Sequence, residues 1–161
     1  MQTTAPAIAT TDLMFLLSWT SHSLQTELTA ALEEVGISPR AHCVLYKALE
    51  GDLTQTQIAE ACGLDKTTMV VVVDKLEQDG LAERQPSTTD RRVKTLVVTE
   101  KGRQIVARSQ EIIGGVHEDV LGSLSPQVRA GFVEGLTRLV EGRLSAFIQC
   151  EQPPRRRSGR V

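Results

Sequence analysis

The side chains best equipped for chemistry lie between residues 66 and 103, and they are suited to binding rather than to catalysis. Lys66, Thr67, Thr68 and Lys75 offer ammonium and hydroxyl donors in one short stretch that also holds Val70 and Val71. Further on, six basic residues (Arg84, Arg91, Arg92, Lys94, Lys101, Arg103) face two acidic ones, Asp90 and Glu100. A local basic stripe on a body of net charge −2 suits a surface that meets phosphates on one side, and it argues against nonspecific coating of a polyanion. On charge alone an ordinary solvated surface fits as well. There is no Gly-rich phosphate loop, no H-E-x-x-H and no nucleophile elbow, so neither an enzyme nor a cofactor is expected.

Cys43, Cys62 and Cys150 are odd in number and form no C-x-x-C pair, which fits a reducing compartment better than a disulfide framework. A reactive cysteine needs exposure and a lowered pKa. His42 adjoins Cys43, but neighbouring helical residues point apart. Cys62 falls at a helix end, where the dipole disfavours a thiolate. Redox sensing through Cys43 or Cys62 therefore stands as an alternative to the main reading. His117-Glu118-Asp119 reads as a solvated helix face, and no metal site is expected. No apolar run approaches the ~20 residues needed to cross a bilayer. Met1 to Thr10 lack the basic start and apolar block of a signal peptide, so the expectation is a cytoplasmic protein without membrane contact.

These residues must be positioned by a mainly helical fold of one domain. Leu13, Leu17, Leu24, Leu28, Leu32 and Val35 recur at helical spacing and predict a first helix from about Asp12 to Val35, stopped by Gly36. Ser38-Pro39 is an N-cap followed by proline at the first helical position; this second helix turns Val44, Leu45, Ala48 and Leu49 inward and ends near Gly51. Thr54-Gln55-Thr56-Gln57 is a capping box opening a short third helix to about Cys62. Gly63 breaks the chain, and Asp65 caps a fourth helix to about Asp79, closed by Gly80. Two helices joined by a short glycine-containing turn are a helix-turn-helix.

Leu81–Gln85 and Val93–Val98 have strand composition, with the polar segment from Pro86 to Arg92 as a hairpin tip. Thr99 caps a fifth helix to about Leu121. Ser125-Pro126 starts a sixth, on which Val128, Phe132, Leu136, Leu139, Val140 and Phe147 form an apolar stripe. The tail 152–161, with Arg155, Arg156, Arg157 and Arg160, reads as a disordered basic extension. The fourth helix should bury Met69, Val72, Val73 and Leu76 and leave Lys66, Thr67, Val70, Val71 and Lys75 outside. A helix of this size fits the major groove of duplex DNA with its N-terminal turn nearest the bases.

The stretch from Leu53 to Ile105 resembles the MarR family of regulators. The resemblance is carried by Leu53–Ala59, Leu64–Met69, Asp74–Leu81, the wing signature Asp90-Arg91-Arg92 and the closing Leu96–Gly102. It implies a winged helix-turn-helix lobe over 38–103 and a helical dimerisation region made of 12–35 and 104–149. It implies a homodimer that binds a pseudo-palindromic operator, as a repressor. The apolar stripe of the last helix points the same way independently, since a second copy of the chain is its simplest cover; an intramolecular helix pair is the other solution.

By the same resemblance Arg92 is the wing arginine that enters the minor groove, where a narrow A·T-rich groove concentrates negative potential. Asp90 would orient the wing through Arg84, and Arg91 and Lys94 complete the basic edge. Val71 departs from the family, where a basic or polar residue is usual. Val70 and Val71 are either incidental apolar surface or contacts for thymine methyl groups. The resemblance implies release from DNA by a small phenolic or lipophilic ligand, by oxidation or by metal; a ligand would bind between the dimer helices and the reading lobe, where Trp19, His22, Ser23, His42 and Tyr46 are the residues expected for a small aromatic or lipophilic effector. A winged-helix protein-interaction module without DNA binding is the remaining alternative, and the basic wing argues against it.

Overall fold

The computed structural model describes residues 12–51, 53–87 and 94–146. These form six α-helices and one hairpin: α1 (Leu13–Ala31) with a 3-10 turn (Leu32–Val35), α2 (Pro39–Ala48), α3 (Gln55–Ala61), α4 (Lys66–Gln78), β1 (Ala82–Pro86), β2 (Lys94–Val98), α5 (Glu100–Gly122) and α6 (Pro126–Glu141). The fold is mainly α with a small β-hairpin, as the sequence predicts. Asp90, Arg91, Arg92, Cys150 and the tail 152–161 lie outside the described residues. The chain divides into two compact units, Met1–Glu118 and Asp119–Val161.

The helices of the first unit start where their caps dictate. The Asp12 carboxylate accepts from the Phe15 amide at 3.0 Å, and Ser38 Oγ accepts from the Ala41 amide at 3.1 Å. Both halves of the capping box at α3 are made: Gln57 N donates to Thr54 Oγ1 at 3.2 Å, and Thr54 N donates to Gln57 Oε1 at 2.8 Å. Each arrangement satisfies amide groups that a helix start leaves without an intrahelical partner. The first helix tightens into a 3-10 turn over its last four residues rather than staying α to Val35, and Gly36 ends it at φ 70°.

The core of this unit gathers the inward faces of α2, α3 and α4 against the hairpin. Val44, Leu45, Ile58, Met69, Val73 and Leu76 are essentially inaccessible, with Leu96 and Val98 of β2 and Val106 of α5 closing over them. The strands pair antiparallel from Ala82 opposite Val98 to Pro86 opposite Lys94. Thr54, the cap of α3, also bridges to Thr95 of β2, so the hairpin is stitched to the helix-turn-helix by backbone pairing.

A compact joint links the end of α4 to the start of α5. Thr99 Oγ1 donates to the Gly80 carbonyl at 2.8 Å and accepts from the Gly102 amide at 3.0 Å, and Lys101 Nζ donates to the Asp79 carbonyl at 2.9 Å. Gly102 is required here by contact. A Cβ at that position would overlap the Leu81 carbonyl oxygen and sit 2.7 Å from Val98 Cγ1.

In the second unit the described residues hold α6 and the end of α5. No residue of α6 is buried. Val128, Phe132, Val133, Leu139 and Val140 are exposed, and Leu136 is half-buried.

Candidate nucleic-acid interface

The elbow between α3 and α4 is built from local rules. Cys62 ends α3, Gly63 turns at φ 62°, and Asp65 restarts the chain as a helix. One Asp65 carboxylate oxygen accepts from the amides of Thr67 and Thr68 at 2.9 and 3.0 Å, while the other accepts from Thr68 Oγ1 at 2.6 Å. The hydrogen bonds from Thr68, side chain first, hold the Asp65 carboxyl below its ordinary pKa.

With α4 started there, its faces divide as the 3.6-residue period requires. Met69, Val73 and Leu76 are buried and Val72 is half-buried. Lys66, Thr67, Val70, Val71 and Lys75 are exposed, Val71 at 64%. The crest carries two rows. Lys66 and Val70 line a cleft of about 700 Å³ shared with Thr54, Thr56 and Glu60 and with Lys94 of the hairpin. Thr67 and Val71 face the other way, toward a second cleft of about 620 Å³. Two lysines from separate elements thus border one groove beside an apolar strip.

Three expected contacts have employment inside the protein. Thr68 is half-buried and donates its hydroxyl proton to Asp65, so its oxygen is left as an acceptor toward anything outside. Lys75 Nζ lies 2.7 Å from the Asp79 carboxylate while its side chain stays 65% exposed. Arg84 is the largest departure. Its guanidinium pairs with Glu77, reaches Asp74 Oδ1 at 2.6 Å and donates through Nε to Gln55 Oε1 at 3.3 Å, and its side chain is 20% exposed. Its backbone N–H also donates to Glu77 Oε1 at 2.8 Å. Arg84 thereby ties β1 to α4 and α3, while Asp90, expected to act through it, lies outside the described residues. Sequence reasoning missed the partners because Asp74 and Glu77 sit on the preceding helix and Gln55 on another, and only the turn at Gly80 and the packing of β1 bring them to Arg84.

The five residues expected to line an effector site lie on α1 and α2. Trp19 stacks on Phe15 along α1, with ring centroids 5.8 Å apart. His22 and Ser23 are exposed on the same helix. His42 stacks on Tyr46 at 6.0 Å, and its Nδ1 lies 2.6 Å from Ser109 Oγ of α5. Ser109 is fully buried and donates back to its own helix. Burial lowers the His42 pKa, because desolvation disfavours the imidazolium. None of the five lines the 620 Å³ cleft. It is bordered instead by Gln25 of α1, by Ser38, Pro39, Arg40 and Cys43 at α2, by Cys62 and Leu64 of the elbow, and by Thr67, Thr68, Val71 and Val72 of α4.

Comparison with known proteins agrees with this geometry. Residues 35–93 match the MarR family profile. The fold is similar to that of CouR from Rhodococcus jostii RHA1 bound to p-coumaroyl-CoA, with 27% identity over 86% of this chain and 96% of that one and a TM-score of 0.72. It is equally similar to a MarR-family transcriptional regulator from Rhodococcus sp. RHA1, at 27% identity, 85% and 96% coverage and a TM-score of 0.73. The transcriptional repressor CouR bound to a 23-mer DNA duplex matches at 26% identity, 81% and 92% coverage and a TM-score of 0.71. A capped α4 over a closed core and a hairpin stitched beside it are thus the arrangement that the chain shares with MarR-family winged helix-turn-helix transcriptional regulators, which it resembles in sequence over residues 35–93 and in fold over most of its length.

Proposed function

We propose that this regulator binds a pseudo-palindromic operator as a homodimer, represses from it, and is released by a small aromatic or lipophilic effector. The observation that carries the reading is the outer crest of α4, where Lys66, Thr67, Val70, Val71 and Lys75 stand exposed over a sealed inner face. Such a helix, entering the major groove by its first turn, offers Lys66 and Thr67 to phosphates or base edges and Val70 and Val71 to thymine methyl groups. Lys94, at the tip end of the paired strands, borders the same cleft; Arg91 and Arg92 of the wing would enter the minor groove, with Asp90 orienting them.

The dimer reading is supported by apolar surface that the chain leaves uncovered. Phe132 (42%), Val140 (65%) and Leu13 (58%) are exposed on α6 and α1. Burying a side chain of this size stabilises by about 1.5–3 kcal/mol, so several together favour a cover of equal chemistry, and a second copy supplies one. The effector reading is supported by the likeness to a relative that holds an aromatic acyl thioester. Trp19, His22, Ser23, His42 and Tyr46 remain the proposed contacts, with the dimer completing the site.

Selection of bound duplexes from a random pool tests the main claim. An enriched inverted repeat is expected, bound by a particle that sediments as a dimer. Failure to enrich any sequence, with the protein folded, would leave a protein-interaction module in its place.

A further inference from the structure

We propose that Cys43 and Cys62 are an intrachain redox pair, oxidised by a low-molecular-weight disulfide through thiol–disulfide exchange, and that the bond between them shifts the seat of α4. The Sγ atoms lie 3.0 Å apart, one from the middle of α2 and the other from the cap that ends α3. Both thiols are free and half-buried. A disulfide has an S–S length of about 2.03–2.05 Å, so closure asks for a shift of roughly 1 Å. Both cysteines border the 620 Å³ cleft, a volume in the range that holds small organic ligands and their adducts.

The chemistry balances without another reagent. Cys43, as thiolate, attacks one sulfur of the small disulfide. A bond forms between Cys43 and that sulfur, the reagent's own S–S bond breaks, and the first small thiolate leaves and takes up the proton Cys43 lost. Cys62 then attacks the Cys43 sulfur. The protein disulfide forms and the second small thiol departs with the Cys62 proton. Two protein thiols are oxidised and one small disulfide is reduced to two thiols. Burial, with the adjacent Cys43 sulfur, pushes the Cys62 thiol up to about 12, while the Lys47 ammonium opposes that rise. Cys62 therefore enters second, where proximity to the mixed disulfide compensates for a weakly acidic thiol.

The consequence for α4 follows from chain connectivity. Only Gly63, Leu64 and Asp65 separate Cys62 from the first residue of α4, and Asp65 holds its first turn through Thr67 and Thr68. Thr67, Thr68, Val71 and Val72 also border the cleft in which the sulfurs lie. Pulling Cys62 toward α2 moves the elbow that sets this helix. This second half rests on the reading of α4 as the DNA-contacting helix.

The test uses the full chain with Cys150→Ser, which removes the competing thiol, equilibrated across ratios of reduced to oxidised glutathione. Peptide mapping should recover Cys43 linked to Cys62 within one chain. Adding Cys62→Ser should stop the reaction at a glutathione adduct on Cys43. Oxidation should raise amide exchange over residues 66–72 and weaken binding to the selected duplex at least tenfold, with dithiothreitol restoring both. A Cys43→Ser, Cys62→Ser variant should bind as the reduced protein does at every ratio. No linkage, or linkage only between chains, overturns the pair. Linkage with unchanged exchange and affinity overturns the gating. If the reduced protein binds no duplex, the DNA-binding reading fails, and mapping and exchange still decide this proposal.

Discussion

The two units of this chain solve the burial of apolar side chains in opposite ways. The first packs α2, α3, α4 and the hairpin around a core whose large members are sealed from water, and its helix starts are capped by its own side chains. In the second, α6 carries an apolar row of which no residue is fully buried and only Leu136 is half-buried. The difference is one of supply. Helix packs on helix and sheet within the first unit, whereas an isolated helix has only one chemistry that can cover its stripe, another apolar surface. Stability of the reading lobe is thus a property of one chain, and the order of α6 is a property of its surroundings.

Substitutions at the two places sharpen this contrast, and the largest effect belongs to the core. Leu45→Ala should cost about 2–5 kcal/mol in urea unfolding, the range for a buried leucine that leaves a cavity. A loss under 1 kcal/mol would mean that the lobe is looser than its burial implies. Phe132→Glu should leave the unfolding of the lobe unchanged and move the sedimentation coefficient from dimer to monomer; an unaltered dimer would place the interface elsewhere. Lys66→Ala and Arg92→Ala should each weaken duplex binding by about 1–3 kcal/mol and lower the salt slope by about one unit, read by anisotropy at several salt concentrations. Val71→Ser should cost about 1 kcal/mol only on sites with a thymine opposite it, so equal losses on all sequences would remove the methyl-contact reading.

The smallest effect is the dependence on pH at His42. Its imidazole titrates below the ordinary value of 6.5 in the fold because burial disfavours the charge. As pH falls, the unfolded chain takes up the proton first. The contribution to stability is therefore full above the ordinary value and is lost as pH drops through the lowered one. His42→Asn, whose amide can still meet Ser109, should flatten the fall in melting temperature between about pH 7 and 5. An identical fall in the variant would assign the pH dependence to other groups.

Most of the fold was legible because it is written locally. Thr54 with Gln57, Asp65 before Lys66, and Ser38 with Pro39 each set a helix start within four residues of sequence, and the structure keeps all three. The inner and outer faces of α4 followed from periodicity alone. What sequence reasoning could not supply were partners across the fold. In sequence Arg84 reads as part of the basic wing with Asp90 for a partner, because Asp74, Glu77 and Gln55 are brought to it only by packing. Cys43 was weighed against its neighbour His42, although the atom that faces it belongs to Cys62, nineteen residues on. Periodicity names a face of a helix; it does not name what stands opposite.

The cross-brace at Arg84 has a mechanical corollary. One guanidinium ties β1 to α4 and α3, so the paired strands of the hairpin and the helix proposed to enter the major groove are braced to each other. If α4 and the hairpin meet DNA as proposed, a tilt of either is transmitted to the other, and a half-site would be gripped or let go in one motion.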